Sequence, residues 1–458
     1  MNNLFLLRHT MRPLCNQIKT NKLLISILLF AAIIRMGMLY VNVRENPSIF
    51  SHDIQSLEAN SASVDRPIAN YFGAEVANVA YSLVCKKEGL SNPFGGSTGP
   101  TGWAAPGMVM LYAVSFYLFG CFTFHSMLFM FLLALILSLT IMVLIYRLSI
   151  ELFSNPSIGN IGAFLFAVSP EDIFIFKRIH EQDFNIMAFF FLLLFWRFIK
   201  FLRSHSIRNL ILFSLAAGTA ILFNPVFVFP IMGCLLFVFV HFKNKYFACQ
   251  KIMWSLAILL LVCTPYILYQ KQKLNVFTFI KSNALYELYQ GNVPDFDGVL
   301  TTELFEKYHP FFNENEYKKY KSLGEIQYIK SKVSVFKQHF DFNRFIMVTG
   351  KRFVNFFFVF PLPTCRKYGR EFFILELVYP LTGLALLCYY ALRFKKKDSF
   401  DGLMYIYILS YAFPYCLTGM MYRYSFPIVP LRAVLFSYII YSLCTSAFSR
   451  TTGRELTA

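Results

Sequence analysis

Long runs of apolar residues are the feature that most restricts how this chain can fold. A helix needs roughly 17–25 apolar residues to cross a hydrocarbon core of about 30 Å, and ten stretches approach that length. They lie at 23–41, 126–146, 158–176, 183–199, 209–223, 227–241, 252–270, 373–392, 402–420 and 425–445. With 57% hydrophobic and 15% charged residues, the 458-residue chain is predicted to be an all-α polytopic membrane protein of about ten transmembrane helices. This excludes a soluble globular fold and a disordered chain.

Two features leave the number of crossings open. The runs 209–223 and 227–241 meet at Asn224-Pro225, where proline disfavours a continuous helix, so they form either two crossings or a re-entrant pair. A further run at 105–119 holds only 15 residues and ends at Gly120. That length fits an amphipathic helix in the membrane interface better than a crossing.

The distribution of basic residues predicts the orientation of the helices. The formal net charge is +18, and 18 of the 43 Lys and Arg residues lie in the terminal segments and short loops on one side when ten crossings are assumed. Such residues favour the cytoplasmic side, so both termini are predicted to be cytoplasmic and the run 23–41 to be a retained signal anchor. Because the basic clusters are divided among membrane loops, membrane lipids are expected partners and nucleic acid is not.

The predicted crossings divide the chain into three regions. Residues 1–270 form an N-terminal transmembrane catalytic module with a first outer loop at 42–105. Residues 271–371 form a large outer loop region, and residues 372–458 form the C-terminal transmembrane helices. The first outer loop is acidic and the second is basic, which fits a cation and a lipid phosphate respectively, or two ordinary solvated surfaces.

The ten cysteines show no CxxC or Cys/His spacing of a metal site. Cys85 and Cys365 both fall in the predicted outer loops, where a disulfide is chemically permitted.

Acidic residues cluster at the outer ends of predicted helices, where an ionisable group needs a partner or a function. Glu181 follows His180 just before the fourth crossing, and Asp183 begins that crossing. Glu75 lies near the start of a short amphipathic helix predicted over residues 71–84. Each carboxylate can act as a base or bind a cation. The structural alternative for Asp183 and Glu75 is stabilisation of a helix N-terminus.

Two further features are candidates for ligand contact. The turn-rich loop 91–106 contains four Gly and three Pro residues, so its backbone can approach a ligand closely or can serve as a plain connector. Arg423 is the one cation in the short outer turn 421–424. Its fork-shaped donors suit a lipid-linked phosphate, or the side chain anchors the helix at the membrane surface.

Together these segments resemble the polytopic GT-C class glycosyltransferases that use polyprenyl-phosphate sugars, and more narrowly bacterial relatives of the protein O-mannosyltransferase and lipid A aminoarabinose transferase families. The similar pieces follow the family's order over roughly residues 20–445. They are the Glu75 helix, Asn92-Pro-Phe with Thr98-Gly99-Pro-Thr-Gly-Trp103-Ala-Ala-Pro106, Ser169-Pro170 with Glu181, Tyr289-Gln-Gly291-Asn292-Val-Pro294, Leu323-Gly324-Glu325 and Tyr422-Arg423-Tyr424-Ser-Phe-Pro427. The chain departs from the pattern at Gly102-Trp103-Ala-Ala and at the additional acids Glu171-Asp172.

The resemblance implies a GT-C-like fold with outer-face amphipathic helices, and an active site outside a bacterial cytoplasmic membrane. It implies a polyprenyl-phosphate-linked sugar as donor and a lipid, glycan or protein as acceptor. No cofactor is firmly implied, and a divalent cation, Mn²⁺ or Mg²⁺, stays open.

The resemblance also maps roles onto residues of this chain. It maps the catalytic carboxylates onto Glu75 and Glu181, with Asp183 as the alternate, and the donor phosphate site onto Arg423 and Arg352. The residues expected in the substrate loops are Thr98, Gly99, Trp103 and Asn292.

The predicted reaction is an inverting single displacement, in which Glu75 is the base, Arg423 holds the phosphate and Glu181 organises the sugar or a cation. A transporter of lipid or polysaccharide is the first alternative, and it requires charged groups through the membrane midplane or repeated halves. A non-catalytic membrane partner in envelope glycan assembly is the second.

Overall fold

The computed structural model describes residues 21–45, 75–177, 183–359 except Asp295 and Asp297, 370–393 and 399–452. Within these residues the secondary structure is helical, apart from isolated bridges between Ser91 and Pro100 and between Val299 and Met420. The predicted site residue Glu181 and the disulfide candidate Cys365 lie outside the described residues.

The described helices follow one another from the first apolar run to the last. Those of the N-terminal part are α1 (Lys22–Glu45), α2 (Glu75–Val84), α3 (Pro106–Phe119), α4 (Phe124–Phe153), α5 (Pro156–Ala167), α6 (Pro170–Lys177), α7 (Asp183–Ser204), α8 (Ile207–Phe223), α9 (Val228–His241) and α10 (Lys245–Leu274). Those of the C-terminal part are α11 (Ala284–Gly291), α12 (Thr302–Tyr308), α13 (Glu314–Leu323), α14 (Glu325–Gln338), α15 (Phe342–Phe357), α16 (Arg370–Val378), α17 (Leu381–Arg393), α18 (Ser399–Thr418) and α19 (Val429–Thr452). Short 3₁₀ turns occupy Pro225–Phe227 and Tyr422–Ile428.

Several of these helices are long and apolar enough to cross a membrane. Among the described residues six helical segments meet that criterion, and a bent pair raises the number to seven. Helices α3 and α8 are shorter apolar helices, as is the segment Pro225–His241. The multi-pass helical fold is therefore confirmed, whereas the predicted count of ten crossings is not.

One helix break lies within a predicted crossing and another lies between two of them. The run 158–176 forms α5 and α6, which are bent by 45° at a short break before Pro170, because proline lacks the N–H that would continue the helix. The predicted break at Asn224-Pro225 is confirmed, since Asn224 Oδ1 accepts the Val226 N–H at 3.1 Å and starts the 3₁₀ turn.

The helix predicted as amphipathic at 105–119 is apolar on both faces. In α3, Val109 and Phe116 are buried, but Val114, Tyr117 and Leu118 are exposed. Its 14 residues reach about 21 Å at roughly 1.5 Å per residue, which is shorter than a hydrocarbon core. The prediction of an amphipathic helix was wrong because exposed positions beside a bilayer need no polar side chains.

Two buried ion pairs hold α6 against the first and last helices. Asp172 Oδ2 lies 2.6 Å from Arg35 Nη2 in α1, and Glu171 Oε1 lies 2.6 Å from Arg432 Nη1 in α19. All four side chains are less than one tenth exposed. The additional acids Glu171-Asp172 thus have structural partners, and Arg35 went unnoticed in the sequence because its helix is otherwise strongly apolar.

Aromatic side chains join the two loop segments that contact the membrane bundle at one end. The first loop segment comprises residues 75–105, and the second comprises residues 275–357 with the gaps stated above. Trp103 packs against Phe94 at a centroid distance of 5.0 Å and against Tyr286 at 4.8 Å, and Phe94 lies 4.8 Å from Tyr320. These rings belong to an aromatic core, separate from the core of the membrane helices, that fixes the position of the first loop segment relative to the second.

A disulfide bond links Cys85, at the end of α2, to Cys121, directly before α4. In the sequence, a disulfide between Cys85 and Cys365 was chemically permitted because both fall in predicted outer loops. The structure pairs Cys85 with the nearer cysteine, since the chain turns back after α3.

Candidate active site

A cavity of about 1140 Å³ lies where the two loop segments meet the ends of the membrane helices. Three of the predicted site residues, Glu75, Asp183 and Arg423, line it. Glu75 begins α2, Asp183 begins α7, and Arg423 belongs to the 3₁₀ turn before α19. Residues more than 300 positions apart in sequence therefore share one space.

Glu75 is held by a histidine that the sequence analysis did not identify. His309 Nε2 lies 3.1 Å from Glu75 Oε1, and His309 Nδ1 accepts the backbone N–H of Phe311 at 3.2 Å. These contacts assign the imidazole proton to Nε2, so the ring donates to the carboxylate and has no nitrogen left for a substrate. His309 therefore orients Glu75, which remains 28% exposed to the cavity.

Neighbouring groups favour the charged form of Glu75. Burial raises the pKa of this carboxyl, but the hydrogen bond from His309, the charge of Lys281 and a hydrogen bond from Trp103 lower it by more. The pKa of Glu75 is consequently below its ordinary value, and the group is a carboxylate at neutral pH.

Arg423 lines the cavity beside an aromatic ring of α7. Its guanidinium carbon is 5.3 Å from the centroid of the Phe184 ring, next in sequence to Asp183. Tyr415 and Tyr424, which also line the cavity, stack with centroids 4.5 Å apart. The Arg423 guanidinium, the Asp183 carboxyl group and two tyrosine rings thus border one region of the cavity.

The loop that carries Trp103 is clamped by Glu325. The Glu325 carboxylate accepts hydrogen bonds from the Thr101 hydroxyl, from the Gly102 N–H at 2.8 Å and from the Tyr320 hydroxyl at 2.8 Å. A side chain at residue 102 would also meet Gln270 Nε2 at 2.5 Å. The Gly102-Trp103 sequence therefore lets the loop lie against α10 while Trp103 reaches Glu75.

Four predicted substrate-loop residues form a layer behind the cavity wall. Asn92 Oδ1 accepts the N–H groups of Thr98 at 2.8 Å and Gly99 at 3.0 Å, which closes the loop on itself. Thr98, Gly99, Trp103 and Asn292 are absent from the lining that the described residues form. Their contacts are with neighbouring parts of the chain.

Arg352 also lies behind the wall rather than in it. The side chain is fully buried, and it donates to Gly298 O at 2.7 Å, Asn292 Oδ1 at 3.2 Å and Leu417 O at 3.0 Å, and to Gly291 O. Burial lowers its pKa to about 10. A guanidinium with these partners holds the end of α11 and is not part of the described cavity lining, and its contact with a phosphate stays a prediction.

Three further polar residues line the cavity without having been predicted. Lys281, Glu287 and Gln290 come from the second loop segment around α11. Burial raises the pKa of Glu287, although Lys281 lowers it, so the pKa of this carboxyl is above its ordinary value. The sequence offered one usable signal, because Gln290 lies inside the Tyr289-Gln-Gly291-Asn292 motif, whereas nothing in the pattern distinguished His309 or Glu287 from other residues of a long polar loop.

A divalent cation would need several carboxylate or imidazole ligands around one position. Within the ranges described, no three His, Cys, Asp or Glu side chains converge to hold a metal ion. Glu75 Oε1 and His309 Nε2 are bonded to each other instead of opening around a common ligand position. The described donor set does not fit Mn²⁺ or Mg²⁺.

Part of the sequence matches the model of a known protein family. Residues 104–269, from the Trp103 loop to the end of the α10 region, match the family model described as dolichyl-phosphate-mannose-protein mannosyltransferase. That stretch is just over a third of the chain. Among curated proteins none matches the chain.

The fold is similar to that of solved archaeal oligosaccharyltransferases from Archaeoglobus fulgidus. The apo crystal structure has a TM-score of 0.56 at 13% identity, covering 96% of this chain and 53% of that one. Oligosaccharyltransferase AglB with an inhibitory peptide and a dolichol-phosphate has a TM-score of 0.51 at 12% identity, covering 95% and 52%. The complex with Zn and sulfate has a TM-score of 0.51 at 13% identity, covering 92% and 49%.

The chain spans about half the length of these solved relatives. At such low identity the likeness concerns the fold. The family match over 104–269 and the shared multi-pass fold together confirm the resemblance to the GT-C class glycosyltransferases.

Proposed function

We propose that this protein transfers a sugar from a polyprenyl-phosphate donor to a hydroxyl or amine of a lipid, glycan or protein acceptor. The observation that carries the proposal is the convergence of Glu75, anchored by His309, and Arg423 on one cavity that both polar and apolar residues line. A base and a phosphate-binding cation are the two groups that such a transfer needs.

Part of the cavity lining is apolar and suits the donor's lipid. The apolar lining residues include Pro225, Val226, Val228 and Phe229, where the helix break separates α8 from α9, and Pro414 of α18. Phe229 is 39% exposed. An isoprenoid chain can lie along this apolar wall within the bilayer while its phosphate reaches Arg423, which explains why the site lies at the ends of membrane helices.

The proposed chemistry is a single displacement with inversion. The acceptor oxygen or nitrogen attacks the anomeric carbon, and the bond between that carbon and the phosphate oxygen breaks. Its electron pair leaves with polyprenyl phosphate, whose charge Arg423 stabilises. The acceptor proton passes to Glu75, and Asp183 or Glu181 orients the sugar.

The test is incubation of the purified protein with a panel of polyprenyl-phosphate sugars and acceptors, with and without Mn²⁺ or Mg²⁺, while release of polyprenyl phosphate is measured. Glu75→Gln should lower the rate by about 10²–10⁴-fold without loss of folded protein. Glu303→Gln, the same change at an exposed position of α12, is the matched control.

Three results would contradict the proposal. Full activity in Glu75→Gln would remove the assigned base. Transport of the lipid across liposome membranes without product would favour a transporter, and the absence of donor consumption under every condition would favour a non-catalytic membrane partner.

A further inference from the structure

One wall of the cavity is a polar helix face that the proposed chemistry leaves unused. Asn283 directly precedes α11, and Glu287 and Gln290 follow at intervals of four and three residues. This spacing places the three side chains on one side of the helix, and all three line the cavity. We call Asn283, Glu287 and Gln290 the row. Asn283 Nδ2 donates to Glu287 Oε1 at 3.0 Å, which orders the first two members of the row.

Gln290 has an unused hydrogen-bond donor in this wall. Its side chain is only 1% exposed, and no described residue accepts a hydrogen bond from its Nε2. A buried donor without an acceptor costs free energy, so such groups in folded proteins normally meet a partner. Because the residue borders the cavity, an occupant of the cavity can supply the missing acceptor.

Contacts with α18 and with Arg352 fix the end of α11, the helix that carries the row. A Cβ atom on Gly291 would lie 1.3 Å from Thr418 O, so α11 ends in direct backbone contact with α18. Asn292 Nδ2 donates to Leu288 O at 2.7 Å and to Leu417 O at 3.0 Å, and Arg352 binds the Gly291 carbonyl. Motif residues that do not touch the cavity therefore position a neighbour that does.

We propose that Asn283, Glu287 and Gln290 form the subsite that binds the donor's sugar, and that this sugar is an uncharged hexose or pentose. The proposal rests on the transferase function proposed above and names the substrate class of the same cavity. Amide and carboxyl groups supply both donors and acceptors, which is what adjacent sugar hydroxyls require.

Charges of both signs beside the row argue for an uncharged sugar. Glu287 belongs to the row and Glu75 lines the same cavity, so a uronic acid would bring a third carboxylate close to these two. Lys281 interacts with both carboxylates and Arg423 with Glu287, so an amino sugar would bring an ammonium group beside two cations. A neutral ring meets no like charge at either position.

The proposal is tested by lipid binding, which does not require turnover. Dissociation constants are measured in detergent for plain polyprenyl phosphate and for the same lipid carrying a neutral hexose, a uronic acid or an amino sugar. The wild type should bind the neutral hexosyl lipid most tightly. Gln290→Met keeps the side-chain length without the amide, and it should weaken binding of that lipid about tenfold while binding of plain polyprenyl phosphate stays within about twofold.

Gln327→Met, at an exposed position of α14, is the matched control and should change neither constant. The thermal midpoint of Gln290→Met should equal or exceed that of the wild type, since the substitution removes an unpaired buried donor. If Gln290→Met does not fold, Gln290→Ala takes its place.

Three outcomes would overturn the subsite: equal binding of the lipid with and without its sugar, equal weakening of both lipids in Gln290→Met, or tighter binding of a charged sugar. Transfer activity distinguishes this failure from failure of the proposed function. Selective binding of the sugar lipid that depends on Gln290, without any transfer, would support the subsite and contradict the transferase function. Transfer that does not depend on Gln290 would support the transferase function and contradict the subsite.

Discussion

His309 and Glu75 form a directed pair, in which Nε2 of the imidazole donates to Oε1 of the carboxylate at 3.1 Å while Nδ1 accepts the N–H of Phe311. The histidine comes from the segment between α12 and α13, and the glutamate begins α2. Their contact therefore joins the two loop segments at the point where the proposed base must be oriented.

Replacing His309 should shift the acidic side of the pH–activity profile. His309→Leu removes one of the interactions that lower the pKa of Glu75 and leaves the burial that raises it, so the pKa of Glu75 should rise. A base acts only when deprotonated, so activity should be lost at a higher pH than in the wild type.

The measurement is kcat/KM against pH for the wild type, His309→Leu and His309→Gln. The glutamine amide can still donate to Glu75, so His309→Gln should lie between the other two. His339→Gln, at an exposed position, is the control. An unchanged acidic limb in His309→Leu would show that Glu75 does not titrate in catalysis.

Arg423 should determine affinity for the lipid phosphate. Loss of charge-assisted hydrogen bonds costs about 1.5–3 kcal/mol, so Arg423→Gln should weaken binding of plain polyprenyl phosphate by roughly 10–150-fold. Arg423→Lys should fall in between, because an ammonium group keeps the charge but lacks the planar fork. Competition binding measures the effect, with the exposed Lys330→Gln as control; equal affinity in all variants would exclude a phosphate contact at Arg423.

The Cys85–Cys121 disulfide should contribute strongly to stability. It encloses a loop with a sequence separation of 36 residues, for which constraint of the unfolded chain amounts to roughly 3–4 kcal/mol. The variant Cys85→Ser with Cys121→Ser should therefore have a lower Tm than the wild type, and a reductant should lower the Tm of the wild type alone. Cys249→Ser changes an exposed free cysteine and serves as control; identical Tm values with and without reductant would contradict the bond.

Removing one member of the Arg35–Asp172 pair should lower the free energy of unfolding strongly, whereas replacing both members with apolar residues should lower it little. Arg35→Leu leaves the Asp172 carboxylate buried with Ser138 as its remaining partner from another helix, and loss of one member of a buried pair costs about 3–5 kcal/mol. Adding Asp172→Leu should restore much of the stability, because no charge is then left buried.

The comparison for this pair is Arg203–Glu151, whose side chains are 40% and 23% exposed. Arg203→Leu should cost no more than about 1 kcal/mol. Thermal unfolding of the wild type and the three variants in detergent tests both statements. If Arg35→Leu is no less stable than Arg203→Leu, the buried pair does not hold α1 to α6.

Much of the fold follows from the lengths of apolar runs. Hydropathy located a helix at every predicted run, since backbone groups in a bilayer must be satisfied within the segment. It did not detect the bend before Pro170, because the run as a whole is apolar and long enough to cross a membrane, nor the lipid-exposed faces of α3. The composition of a helix indicates whether its surroundings are lipid or water, but it does not indicate the angle between two helices.

The site was predicted in part for a similar reason. Glu75, Asp183 and Arg423 stand out as ionisable residues beside apolar runs, and the structure brings them to one cavity. His309 and Gln290 belong to a loop in which polar side chains are common, so only tertiary packing determines which of them turn inward. The roles inferred for Arg352 and Asn292 changed for the same reason, since a motif residue can act through the neighbour it positions.

The Cys85–Cys121 bond also determines how this part of the chain threads through the bilayer. Two cysteines form a disulfide with each other only if they meet in one compartment, so the segments before and after α3 lie on the same aqueous side. The structure describes every residue between them, and α3 is the one long helix there. Helix α3 therefore enters and leaves the membrane face on the same side, and a covalent link, independent of hydropathy, places the start of α4 on the side where Glu75 lies.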